Sequence, residues 1–144
     1  MTSVPLTDDD RLVRRVLDRH DFLVWHADEG RWIPSLAGIK FDPDGMSTFV
    51  LRLLMLRCHG AKEVASFAGT KSEELAFEVL GAEALRLGFE TKHSPDTSTP
   101  IGYAHSSVVR PDGLDKSEWR ALRSDLARAF ECVYGTPSLE PPPT

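Results

Sequence analysis

The chain has 144 residues, a formal net charge of −5 and an apolar fraction of 41%. That length and composition fit one globular domain with a core of its own. The acidic balance argues against a nucleic-acid partner, since proteins that bind nucleic acid normally carry a basic field.

In chain order, residues 1–6 read as a loose terminus. Thr7 then reads as the N-cap of a helix over residues 7–19. Asp8, Asp9 and Asp10 would complement its dipole, and Leu12, Val13, Val16 and Leu17 would form its apolar stripe. Residues 22–26, FLVWH, form a short strand closed by the Asp28-Glu29-Gly30 turn. Residues 31–40 hold Trp32, Ile33, Pro34 and Leu36 without a clear period, and Pro34 rules out a central strand position. The run FDPDG over 41–45 is a turn signal. A strand over 46–50 follows, then an apolar run over 51–59 that reads as a buried helix or a continued strand. Residues 63–67 read as a strand, 68–72 as a loop and 75–80 as a strand. A short helix over 81–87 ends at Gly88, and 89–93 alternates as a strand.

SPDTSTP over 94–100 has loop composition. Residues 103–110 read as a strand with Tyr103, His105, Ser107 and Val109 on one face and Ala104, Ser106 and Val108 on the other. The short link from 93 to 103 favours an antiparallel pair, which would bring His93 near His105. Pro111-Asp112-Gly113 is a turn. Asp115 and Glu118 then stand at capping-box spacing. Trp119, Leu122, Leu126, Ala129, Phe130 and Val133 share one face of the closing helix, which Gly135 and Pro137 terminate. The Pro-rich residues 136–144 have little to bury and read as disordered or polyproline-like.

The expected architecture is α+β: a single domain over 7–135, with a small, mostly antiparallel sheet and helices near both ends. Cys58 and Cys132 are too few for a disulfide scaffold or a zinc motif. Both read as reduced, buried thiols in predicted helices. The longest apolar run, 49–58, is broken by Arg52 and Arg57 and is too short to span a membrane. No leader-like segment opens the chain, so the expected compartment is the cytoplasm. Arg11, Arg14 and Arg15, like Arg120, Arg123 and Arg128, are interleaved with acids and read as solvated helix faces.

The segments FDPDGMS, ALRLGF and HSPDTSTPIGYAHSSV resemble small bacterial proteins or domains of unassigned function. The shared pattern is an Asp-Gly-x-Ser turn, an Arg-x-Gly-Phe-like segment, then Pro and Ala-His-x-x-Val. The resemblance covers most of 41–109 and implies one compact domain, with no catalytic assignment.

His105 is the leading chemical candidate, because it sits mid-strand between small residues. Ser107, His93 and Asp44 follow it as candidates for an acid/base site. A two-histidine phosphoesterase needs a second His-x-Ser/Thr, and His20, His26, His59 and His93 do not supply one. Ser47, His105 and an aspartate would make a nucleophile, base and orienter, although no Gly-x-Ser-x-Gly elbow is present. Asp42 and Asp44 lack the further ligands of a calcium loop. No metal motif, Walker loop or dinucleotide fingerprint is found, so no cofactor is expected.

Trp25, Trp32 and Pro34 form a candidate partner-binding surface. Small size, acidic balance and incomplete motifs favour a non-catalytic accessory module of a larger bacterial assembly, with a protein partner. The alternative is a small hydrolase or group-transfer enzyme using His105 as acid/base.

Overall fold

A computed structural model describes residues 2–66 and 74–143. Its main element is a six-stranded antiparallel sheet. The strands in chain order are β1 (Arg11–Leu17), β4 (Met46–Val50), β5 (Glu74–Leu80), β6 (Glu90–His93), β7 (His105–Val109) and β8 (Glu131–Tyr134). In space they run β6-β7-β4-β1-β5-β8. A separate hairpin pairs β2 (Leu23–His26) with β3 (Arg31–Pro34). Helices α1 (Leu51–Met55), α2 (Ala61–Ser66), α3 (Gly81–Arg86) and α4 (Lys116–Ala129) pack around the sheet. This is the expected α+β class with an antiparallel sheet in one compact domain. No helix among the described residues is long and apolar enough to cross a membrane.

The segment expected to form an N-terminal helix is instead the central strand β1. Its register pairs Leu12 with Val50 and Val79, and Val13 with Phe49 and Glu78. Leu12 and Val16 are buried on one face of the sheet and Val13 on the other. A strand covered on both faces loses the polar/apolar alternation, and its apolar positions then imitate a helical stripe. The acidic run before it builds a turn rather than a helix N-terminus. Asp10 donates its backbone N–H to Thr7 O and accepts from Thr7 N–H and from Arg52. Its buried carboxylate is thereby neutralised.

Other local expectations change in the same way. Residues 61–66 are helical as α2, not a strand, while Phe67 and the expected loop over 68–72 lie outside the described residues. The closing helix has its capping box: Asp115 Oδ1 accepts from Glu118 N–H, and Glu118 Oε1 accepts from Asp115 N–H. It ends earlier than periodicity suggests. Phe130 leaves helical geometry (φ −78°, ψ 143°), so Cys132 and Val133 belong to β8. Cys58 is exposed in a left-handed turn (φ 60°) and is not a buried helical thiol. The strand expected from 103 begins at His105, because residues 102–104 form a 3₁₀ turn.

One apolar core joins these parts. Leu12, Val50, Phe77, Phe89 and Phe130 are fully buried within it. Trp119 on α4 packs on it through Phe41 (4.9 Å) and Phe89 (6.1 Å), as its place on the helix stripe predicts. Arg31 ties the hairpin to the end of α4 by donating to Phe130 O and Arg128 O (2.5 and 2.6 Å), where a cation also complements the helix dipole. Beyond β8, Ser138 N–H donates to the Asp18 carboxylate and Leu139 rests on the core.

Candidate functional site

The site lies across the β4–β7 ladder. Gly45 ends the turn before β4 with φ +114°, and a Cβ there would meet Val108 O at 2.7 Å. Glycine therefore lets the turn close against β7 and sets the register: Ser47 opposite Ser107 and Phe49 opposite His105. Side chains of directly opposed residues share a face. Ser47, Phe49, His105 and Ser107 are therefore neighbours on one face, and Thr48 and Ser106 lie on the other. There the two hydroxyls satisfy one another at 2.6 Å.

The second wall is the loop between β6 and β7. Asp96 N–H donates to Gly102 O, and a Cβ on Gly102 would meet Asp96 O at 2.4 Å. This close approach, which glycine alone allows, holds the loop beside the head of β7. Ser94 and Asp96 are thereby brought to His105.

The hydrogen bonds of His105 fix its tautomer. Its Nδ1 lies 2.9 Å from Ser94 O and 3.0 Å from Ser94 Oγ. A carbonyl oxygen only accepts, so Nδ1 carries the proton. Nε2 is then the acceptor, and Ser47 Oγ–H donates to it across 2.8 Å. Phe49 meets the imidazole edge to face at 5.5 Å, which holds the ring plane. Ser94 Oγ also contacts Ser107 Oγ at 3.0 Å. Asp96 Oδ2 stands 3.9 Å from Nδ1. Hydrogen bonds from Ser98, first its hydroxyl and then its backbone N–H, hold the Asp96 carboxyl below the usual carboxylate range, so it is anionic at neutral pH.

These groups open onto a cavity of about 290 Å³, lined also by Arg14, Arg15 and Thr99. That volume is at the small end of ligand sites. Ser47 is exposed and His105 is half-buried, its side chain 19% accessible. The Thr99 hydroxyl is buried and has no hydrogen-bond partner among the described residues.

The expected site residues separate. His105 is at the centre, and Ser107 is buried behind it as a support for Ser94. His93 does not join it. It pairs with Ser106, which puts its ring on the opposite face. There Nδ1 accepts from Val4 N–H (2.9 Å) and Nε2–H donates to Tyr103 O (2.7 Å), so His93 pins the N-terminal segment. Asp44 is exposed in the 42–45 turn and does not line the cavity; that turn is closed by backbone bonds between Asp42 and Gly45. Asp96 takes the place beside the imidazole. Sequence reasoning passed over Asp96, Ser94, Arg14 and Thr99. A signal for Asp96 existed, because Asp-x-Ser in a Pro-flanked loop is an Asx-turn pattern. Arg14 and Arg15, read as a solvated helix face, belong to β1 and face this cavity.

Trp25 and Trp32 are a cross-strand pair at 5.4 Å, edge to face. A groove of about 440 Å³ lies between the hairpin and α4, floored by Trp25, Ile33 and Pro34 and rimmed by Arg120 and Arg128. Trp32 faces a separate groove with Arg31 and Pro137. Among the described residues, no group of three or more His, Cys, Asp or Glu side chains converges to hold a metal ion. Comparison of the chain with protein-family models, curated proteins and solved structures returned no match.

Proposed function

We propose that the protein is a small hydrolase or acyl-transfer enzyme in which Ser47 is the nucleophile and His105 the acid/base. The observation that carries this reading is the 2.8 Å bond from Ser47 Oγ–H to His105 Nε2 at an open cavity, in the tautomer that accepts a proton. Nucleophile and base within hydrogen-bond reach, with the base oriented by a third group, is the arrangement this chemistry requires. The two short motifs of the bacterial resemblance, Asp-Gly-x-Ser and Ala-His-x-x-Val, supply Ser47 and His105. Their meeting at one cavity supports a shared role.

The chemistry proceeds in two halves. Ser47 Oγ attacks the acyl carbon of an ester as its proton passes to Nε2. Collapse of the adduct breaks the bond to the leaving oxygen, which takes the proton from Nε2, and the acyl group stays on Ser47. Water or another hydroxyl then attacks the acyl carbon and gives a proton to Nε2. Release of Ser47 Oγ, reprotonated from Nε2, restores the site. Asp96 favours the transient imidazolium electrostatically and does not itself take the proton. Release of p-nitrophenolate from a small p-nitrophenyl ester tests this reading. The wild type should turn the ester over, and equal turnover by Ser47→Ala would contradict it.

A second reading rests on a different surface. The groove beside Trp25, with Val24 exposed and Arg120 and Arg128 at its rim, supports a protein-partner role of the kind expected for an accessory module. Its basic rim suits an acidic segment. A stoichiometric partner recovered from native lysate by the wild type and lost with Trp25→Ala is the expected result.

A further inference from the structure

We infer that the Ser47–His105 cavity takes an anionic ligand, an acyl ester bearing a carboxylate or phosphate, whose charge is met by Arg14. The inference rests on the proposed hydrolase reading for the word ester, and on the cavity alone for the charge. Arg14 carries its guanidinium from the central strand β1 and bridges two neighbouring backbones. Nε donates to Gly38 O (2.9 Å) and Nη1 to Ser47 O (2.8 Å), which sets the guanidinium against the nucleophile's own backbone. Both partners are neutral carbonyls. Among the described residues no carboxylate lies within ion-pair distance of it, in contrast to Arg11, Arg15, Arg31, Arg52, Arg86 and Arg128.

Arg14 is half-buried, and Asp42 favours its charge only from beyond ion-pair distance, so an anion arriving in direct contact repays the part of the burial cost that Asp42 leaves. The effect is large enough to register on the group itself: burial brings the Arg14 guanidinium down to about 10, still cationic at neutral pH. The other charges at the cavity do not compete for this role. Arg15 is engaged by Glu74 at 2.6 Å. Asp96 is hydrogen-bonded by Ser98 and stands beside His105, so it repels an anion from the imidazole end and leaves the Arg14 end to it. Thr99 lines the same cavity, although its hydroxyl, which has no hydrogen-bond partner among the described residues, is buried beneath the wall and is not a ligand contact.

The test is binding, which needs no turnover. ¹⁵N-labelled full-length protein is titrated with succinate, with inorganic phosphate and with uncharged succinamide at constant ionic strength, following amide shifts. Saturable shifts confined to residues 14–15, 47–49, 96–99 and 105 are expected with at least one anion and not with succinamide. The anion that gives them distinguishes carboxylate from phosphate. Arg14→Gln should weaken that binding about tenfold or more, as loss of a charge-assisted contact does, and Arg14→Lys should weaken it less. No saturable shift with either anion, or equal shifts with succinamide, overturns the inference, and both readings come from the wild type and do not depend on how the variants fold. If the anion binds here and no ester is ever turned over, the hydrolase reading fails while the charge assignment stands.

Discussion

Ser47 Oγ lies 2.8 Å from His105 Nε2, across the β4–β7 ladder and 58 residues apart in sequence. If this pair is chemical, both side chains are replaceable at little cost to the fold, because Ser47 is exposed and His105 is half-buried. Ser47→Ala and His105→Asn should each lower ester turnover by about 10²-fold or more, the usual range for a lost acid/base partner. Thermal unfolding should stay close to wild type. The pair acts as a unit, so the double variant should be about as impaired as either single one.

His93 makes the opposite case. Its two ring nitrogens are consumed by Val4 N–H and Tyr103 O on the far face of the sheet. His93→Ala should destabilise the protein by about 1–3 kcal/mol, the cost of leaving buried groups unpaired. The folded fraction should keep its turnover. Denaturant unfolding together with activity per folded molecule distinguishes the two histidines.

The tautomer is a separate prediction. Because Ser94 O faces Nδ1, the neutral ring should be protonated at Nδ1 and bare at Nε2. Two-bond ¹H–¹⁵N correlation of the imidazole reads this directly. A ring protonated at Nε2 would leave Ser47 without its acceptor and contradict the assigned roles.

Asp96 should matter modestly. At 3.9 Å from Nδ1 and 42% accessible, its charge acts through water-like surroundings. Two unit charges at about 4 Å then interact by roughly 1 kcal/mol. Asp96→Asn should slow turnover about fivefold, far less than loss of His105, and the difference should shrink at high salt.

The Asp10–Arg52 pair predicts a pH-dependent stability. The Arg52 side-chain hydrogen bond, with Thr7 assisting, holds the Asp10 carboxyl below its ordinary value of 3.8. A depressed carboxyl contributes stability that is present above its unfolded pKa and lost as pH falls through the folded one. Urea midpoints of wild type and Asp10→Asn should therefore differ at neutral pH and converge in acid below that value.

What the sequence revealed follows from the range of the forces involved. The capping box of Asp115 and Glu118 and the stripe containing Trp119 and Leu126 are local, so α4 was legible. The β6–β7 pair was legible because the connecting loop is short. β1 was not, because burial of Leu12 and Val13 on opposite faces erases the pattern that distinguishes strand from helix. The arginines misread with it, Arg14 above all, are those that face the cavity. His105 could be singled out from its small neighbours. Its partner could only be named as a possibility, since the contact with Ser47 depends on the β4–β7 register and on where Gly45 lets the turn close. Asp96 depends on the loop packing that Gly102 permits. No local spacing encodes either relationship.

The most direct test of the central claim is covalent capture of Ser47. A fluorophosphonate probe is attacked by an activated serine oxygen, which forms the O–P bond as fluoride leaves. Intact mass and peptide mapping of the wild type should show one adduct, on Ser47, with labelling abolished in Ser47→Ala and slowed about 10²-fold in His105→Asn. An unlabelled wild type, or labelling that persists unchanged in Ser47→Ala, would contradict the assignment of Ser47 as nucleophile.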